Sequence, residues 1–542
     1  MSIDDRGGFG KPAPTAGGAS RWAWWTAGRI AAAIGSVAGL AVVLTLAGPG
    51  ITIDEPLDVR PGRTYVATLR AKGARFFDRA VVDAVFRDNA EHPPLGRWLL
   101  GVASTLGEPF EINAMGGRDP VGLYLVAGRL APASTFGAMV GLVAASAGRR
   151  YGRGAGGVAG LALAFMPRAF AHAHLGALDT FIAYFWTLAL LAAARAAEGR
   201  RPVAAMAVAG LAWGLALLTK IHAWVLPPIV LAWALSRMKP GRAIAATATW
   251  GATGLALFFA GWPWLWYDPV GRLAAYLGTG VDRVSLRVLY FGHVYADRDV
   301  PWHYPWFYLA ATVPVGLLAL GGWGLVCGWR DRRSDGFPIL VGGSIAVFLV
   351  VFSTRVPVYD GERLFLMAFP LLAILVGLGF SDLWARAGRR AQAALVGLVI
   401  AQGYGVVALH PFGLSYYNLL VGGLPGAERL GLELTYWGDA VDARLLDRLA
   451  AEVAEGESAA LAPTLAPGQG LMDTTRRLAR VPVVVRDEDA AAGSDWLIVS
   501  RRSAYWTPEV RRRLAQDRWI GARSRQGVWL SALLRSRKSK SP

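Results

Sequence analysis

The segment Arg200-Arg-Pro-Val-Ala-Ala-Met-Ala-Val-Ala-Gly-Leu-Ala-Trp-Gly-Leu-Ala-Leu-Leu-Thr-Lys-Ile-His, ending at His222, sets an uncharged apolar run between a pair of arginines and a Lys/His pair. A helix that crosses a bilayer needs roughly 20 mainly apolar residues, and this run approaches that length. Similar runs begin near Ala23, Val121, Ala155, Ala177, Ala223, Ala243, Pro305, Phe337, Leu364 and Ala391, which predicts about eleven spans. Composition agrees: the chain has 542 residues, 54% of them hydrophobic and only 17% charged, unlike a string of soluble domains. The run from Ala23 to Leu46 reads as an uncleaved anchor, the alternative being a cleaved signal peptide.

The formal net charge of +18 would suit a nucleic-acid binder, so where the charges sit decides between the two readings. Arg149, Arg150 and Arg153 follow the second run; Arg195, Arg200 and Arg201 the fourth; Arg237, Lys239 and Arg242 the sixth; Arg330, Arg332 and Arg333 the eighth; Arg386, Arg389 and Arg390 the tenth. Basic residues thus mark every second short loop, and by the positive-inside rule those loops are cytoplasmic. The charge records topology, with the N-terminus inside, the C-terminal segment outside, and no nucleic acid as partner. The single cysteine, Cys327, excludes an internal disulfide and offers no zinc cluster.

The fold expected is an α-helical polytopic membrane protein. It comprises a cytoplasmic tail (1–22), a transmembrane domain (23–410) with a first extracytoplasmic loop (51–120), an extracytoplasmic α/β domain (411–535) and a basic tail (536–542). The last domain is read from a helical pattern at Asp442 to Val453, strand-like runs at Val481 to Val485 and Trp496 to Ser500, and a helix starting near Pro508.

The first outer loop opens with Ile51-Thr-Ile-Asp-Glu-Pro. A carboxylate at the membrane surface can serve as a general base towards a hydroxyl; the bland alternative is a pair of ordinary solvated charges. Further on, Glu91-His-Pro-Pro-Leu-Gly-Arg-Trp opens an apolar helix expected to end near Leu106, too short to span. Lying in the interface, it brings His92 and Arg97 to the level of a lipid phosphate, unless Arg97 merely snorkels. Arg129 lies about eight residues into the second run, roughly 12 Å deep. Its partner is either a first-loop carboxylate, as a structural ion pair, or a donor phosphate.

These three motifs, in this order, resemble glycosyltransferase family 39, which includes the protein O-mannosyltransferases and is related to the lipid A aminoarabinose transferase. The resemblance implies a GT-C fold, a polyprenyl-phosphate-linked sugar as donor, and inverting transfer on the non-cytoplasmic face, the membrane expected being the bacterial plasma membrane. Carried over by motif, Asp54 becomes the catalytic base and Glu55 its partner, while His92 and Arg129 fall on the family's His and second-span Arg. The β-trefoil (MIR) domain of the eukaryotic members has no counterpart here, which puts a protein acceptor in doubt.

Other residues on the outer side join the candidate site. Lys220 and His222 can face a phosphate, or a snorkelling Lys sits beside a hydrogen-bonded His. His174 and Asp179, in His172-Ala-His-Leu-Gly-Ala-Leu-Asp, suit a metal or a charge-capped turn, and the resemblance favours Asp179 as structural or site-lining. Val356-Pro-Val-Tyr-Asp-Gly-Glu-Arg resembles the family's segment before a Leu/Pro-rich helix. Arg363 there opposes the helix dipole and needs an anion, a lipid phosphate or Asp360 or Glu362, with Tyr359 beside it. Trp264 and Tyr267, in Gly261-Trp-Pro-Trp-Leu-Trp-Tyr, are interfacial-belt aromatics or line the substrate. His293 and His303 are further candidates, and the segment from His410 to Asn418 either covers the site or caps a packed loop.

The reaction expected is a single displacement with Asp54 as base and some of Arg129, Arg363, Lys220, His92, Arg97 and His222 as the cationic pocket for the donor phosphate. The sugar, of which mannose is one candidate, goes to a hydroxyl or phosphate acceptor on a protein, lipid or glycan. No cofactor is required by the motifs; a divalent cation held by Asp54, Glu55 and a His stays a candidate. The rival readings are a lipid-linked substrate transporter or flippase and a non-catalytic membrane binding subunit.

Overall fold

The computed structural model describes residues 19–87, 92–115, 122–279, 284–463, 483–484 and 493–537. The expected tails, 1–22 and 536–542, lie largely outside the described residues, although helix α1 (Ala19–Val43) starts before Ala23. The first loop carries α2 (Asp54–Lys72), α3 (Arg79–Val85) and α4 (Leu95–Met115). The apolar body follows with α5 (Leu125–Gly128), α6 (Leu130–Tyr151), α7 (Arg153–Ala164), α8 (Pro167–His172), α9 (Asp179–Ala197), α10 (Pro202–Leu217), α11 (Leu226–Arg237) and α12 (Pro240–Gly261). After α13 (Pro269–Thr279) and a hairpin of β1 (Arg287–Tyr290) and β2 (His293–Ala296) come α14 (Tyr304–Thr312), α15 (Val315–Arg330), α16 (Phe337–Val351), α17 (Ala368–Arg386), α18 (Arg389–Ala401) and α19 (Tyr404–Leu409).

Each predicted apolar run is helical, but several are cut short. Among the described residues, five helices are long and apolar enough to cross a bilayer, or six if α14 and α15, bent by 115°, make one crossing. Four shorter apolar helices, including Pro202–Leu217, fill further runs. Pro314 at the α14/α15 bend and Pro167 at the start of α8 explain two of the breaks, since proline removes a helix hydrogen bond and clashes with the preceding turn. The side chain of Asn418 clamps the bend, donating to the carbonyls of Ala310 and Val313, both at 2.6 Å.

Helices approach one another through small residues, as packing inside a bilayer favours. A β-carbon at Gly35 of α1 would press on the Gly137 carbonyl of α6. In the first loop, α2 crosses α4 where Gly62 meets Gly101, and a β-carbon on either would overlap the other helix's backbone. Helix α4 runs nine residues past the expected end at Leu106, with Pro109 inside it. Val102, Leu106 and Phe110 are exposed at a spacing of four, an apolar stripe turned away from the protein as in an interfacial helix.

The ends of the bundle differ in character. At one end Arg150 pairs with Glu198 at 2.6 Å and Asp335 at 2.9 Å, and Arg237 stands 4.0 Å from Glu198. Four of the basic loops thus meet there. At the other end lie α2, the turn before α9, Lys220, Arg363 and the C-terminal region. That region holds α20 (Gly423–Arg429), α21 (Ala443–Glu452), β3 (Ala459–Ala462), β4 (Val483–Val484), β5 (Trp496–Ser500), α22 (Pro508–Gln516), β6 (Arg518–Arg525) and β7 (Val528–Arg535). Its sheet has the order β4-β3-β5-β7-β6, parallel across β4, β3 and β5 and antiparallel beyond. Asp442 and Thr507 cap α21 and α22 with their side chains. The hairpin β6–β7 and strand β3 were not expected from the sequence.

Candidate active site

Asp54 and Glu55 are the first two residues of α2, where acidic side chains favourably meet the positive end of the helix dipole. Their side chains part company there. Glu55 is fully buried and points at Arg129, which donates Nε–H to Oε1 at 2.6 Å and Nη2–H to Oε2 at 2.8 Å. Thr52 N–H and Gly176 N–H at 2.7 and 2.9 Å and the Thr52 hydroxyl at 3.2 Å complete the shell. Arg129 also donates to the carbonyls of Leu46, Pro49 and Gly50 at 2.7, 3.0 and 2.8 Å. A guanidinium has five N–H groups, and all are taken by Glu55 and these carbonyls. Arg129 therefore ties the end of α1, the start of α2 and the α5/α6 junction together, and keeps no donor for a phosphate.

Asp54 turns the other way, to Arg363, with its side chain 21% exposed against 12% for Arg363. Arg363 bridges three carboxylates: it hydrogen-bonds Asp54 through Nη2, Asp179 at 3.2 Å through Nε, and Asp360 at 3.4 Å through Nη1. Lys220 closes on the other oxygen of Asp179 at 2.6 Å. The anion that compensates Arg363 is thus a set of protein carboxylates, and Glu362 is not among them: it pairs with Arg168 at 2.5 Å. The turn that separates Asp360 from Glu362 uses left-handed backbone at Asp360 (φ 56°) and Gly361 (φ 67°). A β-carbon at Gly361 would also press on the side-chain ends of Arg168 and Tyr436.

The C-terminal region packs against this cluster. Asp360 accepts from Trp437 Nε1–H and from Arg502, both at 2.8 Å, and Trp437 lies under the Arg363 guanidinium, 4.3 Å from its ring centre. Glu433 accepts from Ser503 N–H at 2.7 Å and Ala504 N–H at 3.0 Å. Burial pushes Glu433 up to about 7 and Asp439 likewise to about 7, against the pull of the N–H groups and arginines around them.

One turn after Asp54, Asp58 accepts from buried Arg97 at 3.0 Å. Burial pushes Asp58 up to about 6 despite Arg97. Arg97, expected to reach a phosphate, is wholly buried on Asp58 and at 3.5 Å from the His92 carbonyl. His92 lies close enough to Arg97, Lys220 and Arg363 that burial and these cations hold it well below the usual imidazole range. At neutral pH it is an uncharged hydrogen-bonding group, not a member of a cationic pocket.

The remaining expected residues divide. Tyr359 is buried beside Arg363, 5.9 Å from guanidinium to ring centre, and His222 packs on Phe352 next to Lys220. His174 spends both ring nitrogens, on the Phe170 carbonyl at 2.9 Å and the Thr45 hydroxyl at 2.8 Å, as a structural hydrogen-bonded residue would. Trp264 stacks on Trp262 at 5.4 Å and under Arg272 at 5.2 Å, while the Tyr267 hydroxyl donates to the Phe77 carbonyl. Tyr267 and Arg272 of α13, which bonds Asp83 at 2.5 Å, dock the first loop here, with Trp264 stacked beneath Arg272. His303 bonds the Tyr290 hydroxyl at 2.8 Å, and His293 sits exposed on β2. For a divalent cation the donor set does not fit: Glu55 is saturated, and no three His, Cys, Asp or Glu side chains converge among the described residues.

Sequence reasoning missed Asp58, Asp360 as a hub, Arg502, Trp437 and Glu433. The spacing of four between Asp54 and Asp58 was a readable sign, because it puts both on one helical face. For the C-terminal residues no local signal exists.

Residues 121–267 match the family model described as dolichyl-phosphate-mannose-protein mannosyltransferase. No curated protein matches the chain at a significant level. Among solved structures, ArnT from Cupriavidus metallidurans in the apo state aligns with a TM-score of 0.53 and 15% identity, over 94% of this chain and 97% of that one. The same protein bound to undecaprenyl phosphate aligns with a TM-score of 0.51 and 15% identity, over 96% of this chain and 99% of that one. This chain is an integral membrane protein with the GT-C fold of the ArnT structures, and its motifs resemble those of glycosyltransferase family 39.

Proposed function

We propose that the protein is a membrane glycosyltransferase that moves a sugar from a polyprenyl-phosphate donor to a hydroxyl or phosphate on an acceptor, with inversion, on the non-cytoplasmic face. The observation that carries this reading is the Asp54–Arg363–Asp179–Lys220 cluster beneath the C-terminal region. Its side chains supply a base and two cations at one end of an apolar bundle. Asp54, at 21% exposure, is the accessible carboxylate; Asp179 and Asp360 are 2% and 5% exposed. The family match over residues 121–267 and the undecaprenyl phosphate held by ArnT support a lipid-phosphate donor.

In the reaction the acceptor oxygen attacks the anomeric carbon as its proton passes to Asp54. The bond from that carbon to the phosphate oxygen breaks, and the electron pair stays on the phosphate. The phosphate gains a negative charge, which Arg363 and Lys220 neutralise, so no acid is needed to protonate the leaving oxygen. Arg363 is anchored by Asp179 and Asp360, so it can exchange Asp54 for a donor phosphate without losing its place. Donor binding then frees the base. Glu55 and Arg129 act by positioning the start of α2.

The test is sugar transfer from radiolabelled polyprenyl-phosphate-mannose by purified protein in detergent, with and without crude membrane acceptors, comparing wild type with Asp54→Asn. Loss of the base lowers turnover by about 10²- to 10⁴-fold in a folded protein. Full turnover by D54N refutes the base, and failure of wild type across a panel of polyprenyl-phosphate sugars refutes the transferase reading.

A further inference from the structure

At the end of the bundle opposite the Asp54 cluster, a cavity of about 240 Å³ is lined by Arg149, Arg150, Arg195, Glu198, Leu191 and Phe337. It opens where the last turns of α6 and α9 meet the first turn of α16. Arg150 is already spoken for, by Asp335 at 2.9 Å and Glu198 at 2.6 Å, and its guanidinium covers the Phe337 ring at 4.2 Å. Arg149 and Arg195 are exposed, stand close enough to repel one another, and have no carboxylate partner among the described residues. Basic side chains offset the negative ends of helices, but each helix end carries only about half a charge, and α6 alone ends in both Arg149 and Arg150. Two guanidiniums lining one cavity call for an anion with several oxygens.

The surroundings say which anion. Helices α6 and α9 lie in segments long and apolar enough to cross the bilayer, so their last turns reach headgroup depth, and Leu191 and Phe337 add apolar wall beside the charges. We propose that this cavity binds the phosphate of an anionic glycerophospholipid from the leaflet bordering the basic loops, with Arg149 and Arg195 as its ligands and Arg150 as a fixed floor. The site stands apart from the Asp54 cluster, and its test does not depend on sugar transfer.

The test is native mass spectrometry of the full-length protein in detergent, titrated with phosphatidylglycerol, with phosphatidylcholine of the same acyl chains, and with inorganic phosphate. Wild type, Arg149→Gln, Arg195→Gln and Arg390→Gln are compared, the last being a basic-loop residue outside the cavity, and the apparent melting temperature of each verifies folding. Wild type is expected to hold phosphatidylglycerol at least tenfold more tightly than phosphatidylcholine. R149Q and R195Q each weaken it by about tenfold, as loss of one charge-assisted hydrogen bond implies, and R390Q leaves it unchanged. Equal weakening by R390Q, or no preference for the anionic lipid, overturns the site. Displacement of the lipid by inorganic phosphate at equal concentration overturns the lipid as its occupant.

Discussion

Replacing Arg129 with Met separates a scaffold from a phosphate ligand. Arg129 is 1% exposed and Glu55 0%, and the pair shares two hydrogen bonds of 2.6 and 2.8 Å. Removing one partner of such a pair leaves a buried uncompensated charge and costs about 3–5 kcal/mol. Here the carbonyls of Leu46, Pro49 and Gly50 lose their donor as well, which places the expected loss towards the top of that range. At 1.4 kcal/mol per decade the unfolded population rises by roughly 10²- to 10³-fold or more. The assay is SDS-titrated unfolding in mixed micelles for wild type, R129M, Glu55→Gln and the double variant, with sugar transfer measured on the same preparations. Each single substitution destabilises strongly, and the double one costs less than the two together by about 1–3 kcal/mol, because neither charge is then left alone. If R129M unfolds within about 0.5 kcal/mol of wild type while turnover collapses, Arg129 acts on the substrate and the structural argument fails.

Three further outcomes are expected. Arg502→Ala removes a donor to Asp360 at 2.8 Å and one to the Tyr436 carbonyl, so the C-terminal region loosens; limited proteolysis followed by intact mass shows faster cleavage after residue 422, and an unchanged pattern would sink the idea that Asp360 fastens it. Gly101→Val forces α4 off α2 at Gly62, for an overpacking cost of about 1–3 kcal/mol visible as a lower apparent melting temperature. Glu433 has its folded pKa raised to about 7, above its ordinary value of 4.5, so it binds protons more readily folded than unfolded. Its contribution is fully present below pH 4.5 and is lost as pH rises towards 7; Glu433→Gln flattens that part of the melting-temperature profile, and an unchanged slope contradicts the assignment.

The apolar runs, the alternation of basic loops and the resemblance of three motifs to a transferase family were legible in the chain because each depends on residues near one another in sequence. Hydrophobic length marks where a helix sits in the bilayer, and Lys and Arg mark the loops on one side. Even helix ends were partly readable: Pro93 and Pro94 precede α4 and Pro508 opens α22. What adjacency could not show is how the charges are spent. Asp54 and Glu55 are neighbours, yet a helix turns successive side chains about 100° apart. One therefore faces Arg129, 74 residues away, and the other Arg363, 309 residues away. Whether an arginine is a ligand or a brace depends on how many of its donors the surrounding backbone already takes, and that is settled only when α1, α2 and α6 are packed. Asp360, Arg502 and Trp437 became part of the site for the same reason: a buried charge must find its partner in space, and the chain order does not record where that partner is.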